Sequence, residues 1–122
     1  MPIVTVEVVV EDRGSIAPDL ARAIADGVGR VFGSPPGQTW VRLHTLDMTR
    51  YAENDSSLST SELPVFVTLL KHQPPSGPSL EAEVASLTEA IARAVGRPAT
   101  SVHLEDAPGA VNRLAFGGKL VR

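Results

Sequence analysis

Proline at position two offers a chemistry that depends on its place in the chain. Removal of Met1 would leave Pro2 with a free secondary amine, carried at the head of Ile3-Val4-Thr5-Val6-Glu7-Val8-Val9-Val10. A solvated α-amine titrates at about 7.7–8.0, and burial in apolar surroundings disfavours the charged form and lowers that value. Such an amine is a general base poised near neutral pH, where a base works best. The pyrrolidine ring fixes φ and limits the amine's freedom. The alternative is a small residue after Met at the start of an ordinary strand. Other chemistry is scarce. The three histidines, His44, His72 and His103, show no metal-ligand spacing. The lack of cysteine excludes disulfides and thiolate chemistry. Glu105 and Asp106 would point to opposite faces of a strand, so they read as a solvated pair rather than as an acid/base couple. No metal and no cofactor are expected.

The elements that would position Pro2 follow from patterning. Residues 3–10 are apolar on both alternations except at Thr5 and Glu7, which suits a strand covered on part of both faces. Ser15 is a candidate N-cap for a helix whose apolar stripe is Ile16, Leu20, Ile24, Val28, Val31 and Phe32, with Gly33 just past its end. Residues 40–46 alternate as a strand, which completes a β-α-β unit with parallel strands and a right-handed crossover. Residues 48–62 are polar and serine-rich and read as a linker. A second strand-like run begins at Pro64. A second helix is expected from a cap at Ser79 to Gly96, with Leu80, Val84, Leu87, Ile91 and Val95 on one face, followed by a strand over 100–104.

The halves repeat. Pro64-Val65-Phe66-Val67-Thr68 echoes Pro2-Ile3-Val4-Thr5-Val6, and residues 25–33 align with 88–96, matching Arg30 to Arg93 and Gly33 to Gly96. The expected fold class is α+β: two pseudo-repeated β-α-β units in one four-stranded mixed sheet, with both helices on one face. The expected organisation is a single domain, 1–122. Its parts are a first unit at 2–47, a linker at 48–62, a second unit at 63–105 and a C-terminal hairpin or tail at 106–122.

Composition narrows the function classes. A 122-residue chain that is 43% hydrophobic and 20% charged is ordinary globular material. A net charge of −3 leaves no basic footprint for nucleic acid, and five aromatic residues are too few for a base-stacking platform. The N-terminus lacks the features of a signal peptide, and no apolar run approaches the length of a bilayer span. A soluble, cytoplasmic protein is expected, with neither nucleic acid nor membrane as partner.

The order β-α-β-β-α-β is shared with ferredoxin-like plaits; Pro2 and the tail distinguish them. Ser101-Val102-His103-Leu104-Glu105-Asp106 through Gly117-Gly118-Lys119-Leu120 resembles, without a gap, the C-terminal half of 4-oxalocrotonate tautomerase. The opening from Pro2 to Arg42 is similar to the same family's N-terminal half. The chain thus resembles a tautomerase-superfamily protein of the fused, two-unit type, the group that includes cis-3-chloroacrylic acid dehalogenase and macrophage migration inhibitory factor (MIF).

The resemblance implies a cofactor-independent isomerase. Pro2 nitrogen would take a proton from a small 2-hydroxydienoate or enol of a 2-oxo acid and return it to carbon, while cationic side chains hold the substrate carboxylate. Arg42 fills the position of the family's strand arginine, and Arg13 lies within one residue of its other carboxylate-binding arginine. His103 stands where the second unit would carry a strand arginine. Asn112 lies near the C-terminal asparagine of the migration-inhibitory type, where it could bond a substrate carbonyl. Leu114 stands at the family's active-site phenylalanine, which in the dehalogenase is a water-activating glutamate. His72 and Pro75 replace the dehalogenase's arginine pair, so hydrolytic dehalogenation is not expected. Pro64 matches Pro2 in the repeat, but its nitrogen is in a peptide bond and cannot be a base. A homotrimer is implied. Two other readings stay open: a tautomerase fold without catalysis, serving in assembly, and a ferredoxin-like domain that binds a small regulatory molecule.

Overall fold

The computed structural model describes residues 2–12 and 16–122. Among these residues six strands and two helices follow in order: β1 (Ile3–Val10), α1 (Leu20–Phe32), β2 (Trp40–Asp47), β3 (Val65–Leu70), α2 (Gly77–Val95), β4 (Val102–Asp106), and the short β5 (Ala115–Phe116) and β6 (Lys119–Leu120). Four strands form one mixed sheet in the order β2-β1-β3-β4. The pairs β1–β2 and β3–β4 are parallel, whereas the two units meet through the antiparallel pair β1–β3. The last two strands make a separate hairpin.

Alternation decides which face is the core. Val4, Val6, Val8 and Val10 of β1 join Val65, Val67 and Leu69 of β3 on one side, and all are essentially inaccessible. They pack against Leu20, Ile24 and Val28 of α1 and Leu87 and Ile91 of α2. Each such side chain contributes roughly 1.5–3 kcal/mol of burial, so truncating Ile24 or Leu87 would cost about 2–5 kcal/mol. Glycines in the left-handed region end both helices, Gly33 at φ 62° and Gly96 at φ 75°, as the aligned repeat requires.

Three boundaries differ from expectation. The second helix begins at Gly77 with Ser76 as N-cap rather than at Ser79, because Pro78 is accommodated in a first turn that needs no donor there. A 3₁₀ turn occupies Ala99–Ser101, so β4 starts at Val102 and runs on to Asp106. The first helix starts at Leu20 after Asp19, which makes no side-chain cap; Ser15 lies outside the described residues. The segment expected as a linker contains two 3₁₀ turns, Met48–Arg50 and Thr60–Glu62.

Among the described residues no helix covers the opposite face of the sheet. The registers place Arg42, Thr5, Thr68 and Glu105 in one row across it, and His44, Glu7, Phe66 and His103 in the next. The Phe66 ring lies 5.7 Å from Tyr51 and 5.6 Å from His103. At the edge Trp40, 46% exposed, meets Phe116 of the hairpin edge-on at 5.1 Å.

Candidate active site

Extending the antiparallel register one step beyond Ile3↔Leu70 sets Pro2 against Lys71. Pro2 is buried, and its carbonyl accepts the Trp40 N–H at 3.0 Å, which ties the start of β1 to the start of β2. Beside it opens a recess of about 510 Å³, lined by Pro2, Phe32, Gly33, Ser34, Pro35, Gln38 and Lys71. The loop that closes one side is braced locally: Thr39 Oγ1 donates to Ser34 Oγ at 2.7 Å, and Gln38 N–H to Pro35 O at 3.1 Å. Helix α1 ends in Gly33 because only a left-handed residue lets the chain turn into this loop.

Lys71 is the cationic side chain of this recess, and sequence reasoning missed it. Its backbone oxygen accepts the Ala110 N–H at 2.8 Å, so the tail continues the β3–β4 ladder and fixes its position. Its ammonium lies 4.7 Å from the centroid of the Phe32 ring and 2.9 Å from Glu83 Oε2 on α2. The two side chains are 21% and 15% exposed, so this pair is screened far less than a surface salt bridge. Asp106 enters the same neighbourhood from β4. Opposite the inward-facing Leu69, it points toward the helices while Glu105 is exposed. Both of its carboxylate oxygens and Glu83 Oε1 are buried, with no hydrogen-bond partner among the described residues. Burial, and then the charge of Glu83, push the Asp106 carboxyl above its ordinary range, while Lys71 pulls it back. The expected opposite facing of Glu105 and Asp106 is observed, but solvation holds for Glu105 alone.

The equivalent place in the second unit is filled. Pro64 is buried like Pro2, and its carbonyl accepts the Val9 N–H at 3.1 Å. The repeat aligns Gly96 with Gly33, so Arg97 stands where the first unit has Ser34. The Arg97 guanidinium donates to Leu63 O and, at 3.0 Å, to Val9 O, the former at 2.6 Å. Desolvation lowers the guanidinium's pKa. One end of the β1–β3 ladder is thus open with a lysine in it, and the other is plugged by an arginine. The exchange of Ser34 for Arg97 is visible in the aligned repeat and is the signal that could have found this asymmetry.

The other candidate residues do not gather around Pro2 within one chain. Arg42 lies on the helix-free face, where its guanidinium donates to Thr5 Oγ1 at 3.1 Å, and it does not line the recess. His103 is exposed on that face beside Phe66. Asn112 takes a left-handed conformation, φ 59°, and its N–H donates to Val121 O at 2.7 Å, the geometry of a turn residue. Leu114 is half-buried and tied to Val121 N–H through its carbonyl at 2.8 Å. Arg13 lies outside the described residues. The His72 ring is 3.0 Å from the Arg122 backbone oxygen. Among the described residues, no group of three His, Cys, Asp or Glu is placed to hold a metal ion, and no helix is long and apolar enough to cross a membrane.

No protein-family model matches the sequence, and no curated protein sequence matches it. Solved structures do. Macrophage migration inhibitory factor from Trichinella spiralis superposes with a TM-score of 0.74 at 14% identity, covering 97% of this chain and 98% of that one. A wild-type fused 4-OT described as a symmetric trimer gives 0.71 at 14% identity over 98% and 94%. Malonate semialdehyde decarboxylase FG41, inhibited by 3-bromopropiolate, gives 0.68 at 19% over 94% and 88%. The chain shares the tautomerase/MIF fold of these structures. Both β-α-β units lie in one chain of 122 residues here.

Proposed function

We propose that this protein is a tautomerase or isomerase in which the Pro2 amine, freed by removal of Met1, shuttles a proton in a small 2-hydroxydienoate or 2-oxo acid. The observation that carries the reading is the recess at the start of β1, which has Pro2 as a buried wall and Lys71 as its cation. An ammonium in the same recess disfavours a protonated amine and lowers its pKa. The same ammonium attracts a substrate carboxylate and stabilises the negative charge that develops as the enol or dienolate forms. Proton transfer needs nothing further: the Pro2 amine removes the hydroxyl proton, electron density moves through the conjugated system, and the protonated Pro2 nitrogen returns that proton to carbon, which regenerates the free amine. Lys71 takes the carboxylate-binding role in this reading. Arg42, His103, Asn112 and Leu114 are left for a neighbouring protomer's site or for structure.

The helix-free face, with Trp40, Phe66 and Leu70 on it, supports a homotrimer in which this surface is covered by copies of the chain. Two similar structures are described as trimers of fused 4-OT. Arg42 lies on that face, so assembly is what would bring it to a second protomer's Pro2. A soluble, cytoplasmic, single-domain enzyme without cofactor or metal fits this reading. The test is turnover of 2-hydroxymuconate and phenylenolpyruvate by the wild type and by Pro2→Ala, with a large loss in the variant expected.

A catalytically silent assembly protein is the second reading. It is favoured by the single observation that Arg42 and His103 stand outside the recess, and it predicts no turnover in either protein.

A further inference from the structure

The three charged groups behind the Pro2 recess do not balance. Lys71, just past β3, brings one ammonium, while Glu83 from α2 and Asp106 from β4 bring two carboxylates. Three of the four carboxylate oxygens are buried without a hydrogen-bond partner among the described residues, and the fourth holds the ammonium at 2.9 Å. Pro2, at the start of β1, whose nitrogen becomes an amine on removal of Met1, and the uncharged Phe32 ring, at the end of α1, complete the surroundings. His72, next in the chain, is engaged with the Arg122 backbone oxygen.

An anionic substrate that takes Lys71 as its anchor removes the ammonium from Glu83. It also brings a third carboxylate into a site of low dielectric, where like charges repel more strongly than in water. A buried ion left without its partner is costly, and the cheapest relief is a proton on one carboxyl. Asp106 is the group suited to take it, since neither of its oxygens has a donor in the resting state, whereas Glu83 starts with one. A protonated Asp106 also becomes a donor in a cluster where only the ammonium donates otherwise.

We propose that Asp106 is a positioning residue of the recess: it takes up the proton that lets Lys71 leave Glu83 for the substrate carboxylate. This rests on the reading of the recess as a carboxylate site. Binding and proton uptake are therefore linked, and an anion binds more tightly as pH falls, by up to about tenfold per pH unit for one linked proton. The Pro2 amine would contribute uptake of the same sign, so the share due to Asp106 is the difference between wild type and a variant at that position.

The experiment is calorimetric titration with adipate, an unreactive dicarboxylate, in two buffers of different ionisation enthalpy across the mildly acidic to neutral range. Wild type, Asp106→Asn, Asp106→Glu and Lys71→Met are compared, each checked for native circular dichroism. Wild type should take up protons on binding, Asp106→Asn should lose about half of that uptake or more, and Asp106→Glu should restore it. Lys71→Met should bind at least tenfold more weakly. Binding that depends on Lys71 with equal uptake in wild type and Asp106→Asn would overturn the role of Asp106 alone. Undiminished binding in Lys71→Met, or none in wild type, would overturn the carboxylate-site reading and this inference with it.

Discussion

Pro2 and Lys71 face each other across the end of the β1–β3 ladder, one at the head of β1 and the other just past the end of β3. Both strands are central in the sheet, and both residues line one recess. The opposite end of the ladder carries Val9 and Pro64, with Arg97 bound to the carbonyls of Val9 and Leu63. The two ends are related by the repeat but not by chemistry, and this asymmetry organises what can be tested.

Lys71 should matter for affinity and for folding. Replacing it with methionine takes the ammonium from over the Phe32 ring and leaves Glu83 and Asp106 without their cation. KM for a carboxylate substrate should rise at least tenfold. Stability should fall by about 1–3 kcal/mol, below the loss typical of a fully buried pair because both partners keep some exposure. Steady-state kinetics and urea denaturation measure the two effects separately.

Arg97 should matter for folding and not for turnover. Truncation to alanine removes two charge-assisted bonds to backbone carbonyls, a loss of about 2–4 kcal/mol, or a melting point lower by roughly 10 °C. The kcat at a temperature where the variant is folded should be unchanged. A fall in kcat with unaltered melting would place Arg97 in the chemistry instead.

Asp106 gives a pH dependence of stability with a definite sign. Its folded carboxyl titrates above its ordinary range, so between those two values the native state binds more protons than the unfolded one. Stability is then lost as pH rises through that window. Asp106→Asn, which cannot ionise, should flatten this fall and be more stable than wild type at neutral pH. Urea midpoints of the two proteins across the acid range test it, and parallel curves would refute it.

Covering the helix-free face should make the protein a trimer in solution. Light scattering coupled to size exclusion should give three times the chain mass of 12.9 kDa. Arg42→Glu, placed beside Thr5 on that face, should shift the population toward monomer. A stable monomer at micromolar concentration in the wild type would contradict the assembly.

Much of the fold was legible because it is written twice. The strand-opening prolines Pro2 and Pro64 and the helix-ending glycines Gly33 and Gly96 mark the same positions in each half, and strand and helix periods fill the intervals. The site was less legible. Lys71 reads in sequence as a charge after a strand, and its place opposite Pro2 follows only from the antiparallel pairing of the two units. Asp106 reads as half of an exposed acidic pair because nothing local reveals that Leu69 and the helices enclose it. Arg42 matched a family position in sequence, yet it lies on a face that a single chain leaves without a helix. Its relation to any Pro2 depends on contacts between chains, which no single sequence pattern encodes.

The central claim is that the Pro2 nitrogen is the base. Ketonisation of phenylenolpyruvate and 2-hydroxymuconate should be measured with protein whose intact mass shows Met1 removed, comparing wild type, Pro2→Ala and Pro64→Ala. Measurable turnover is expected in wild type, with a loss of about two orders of magnitude or more in Pro2→Ala, as for removal of a general base, and little change in Pro64→Ala. Equal rates in wild type and Pro2→Ala would contradict it and leave Pro2 as no more than the residue from which β1 begins.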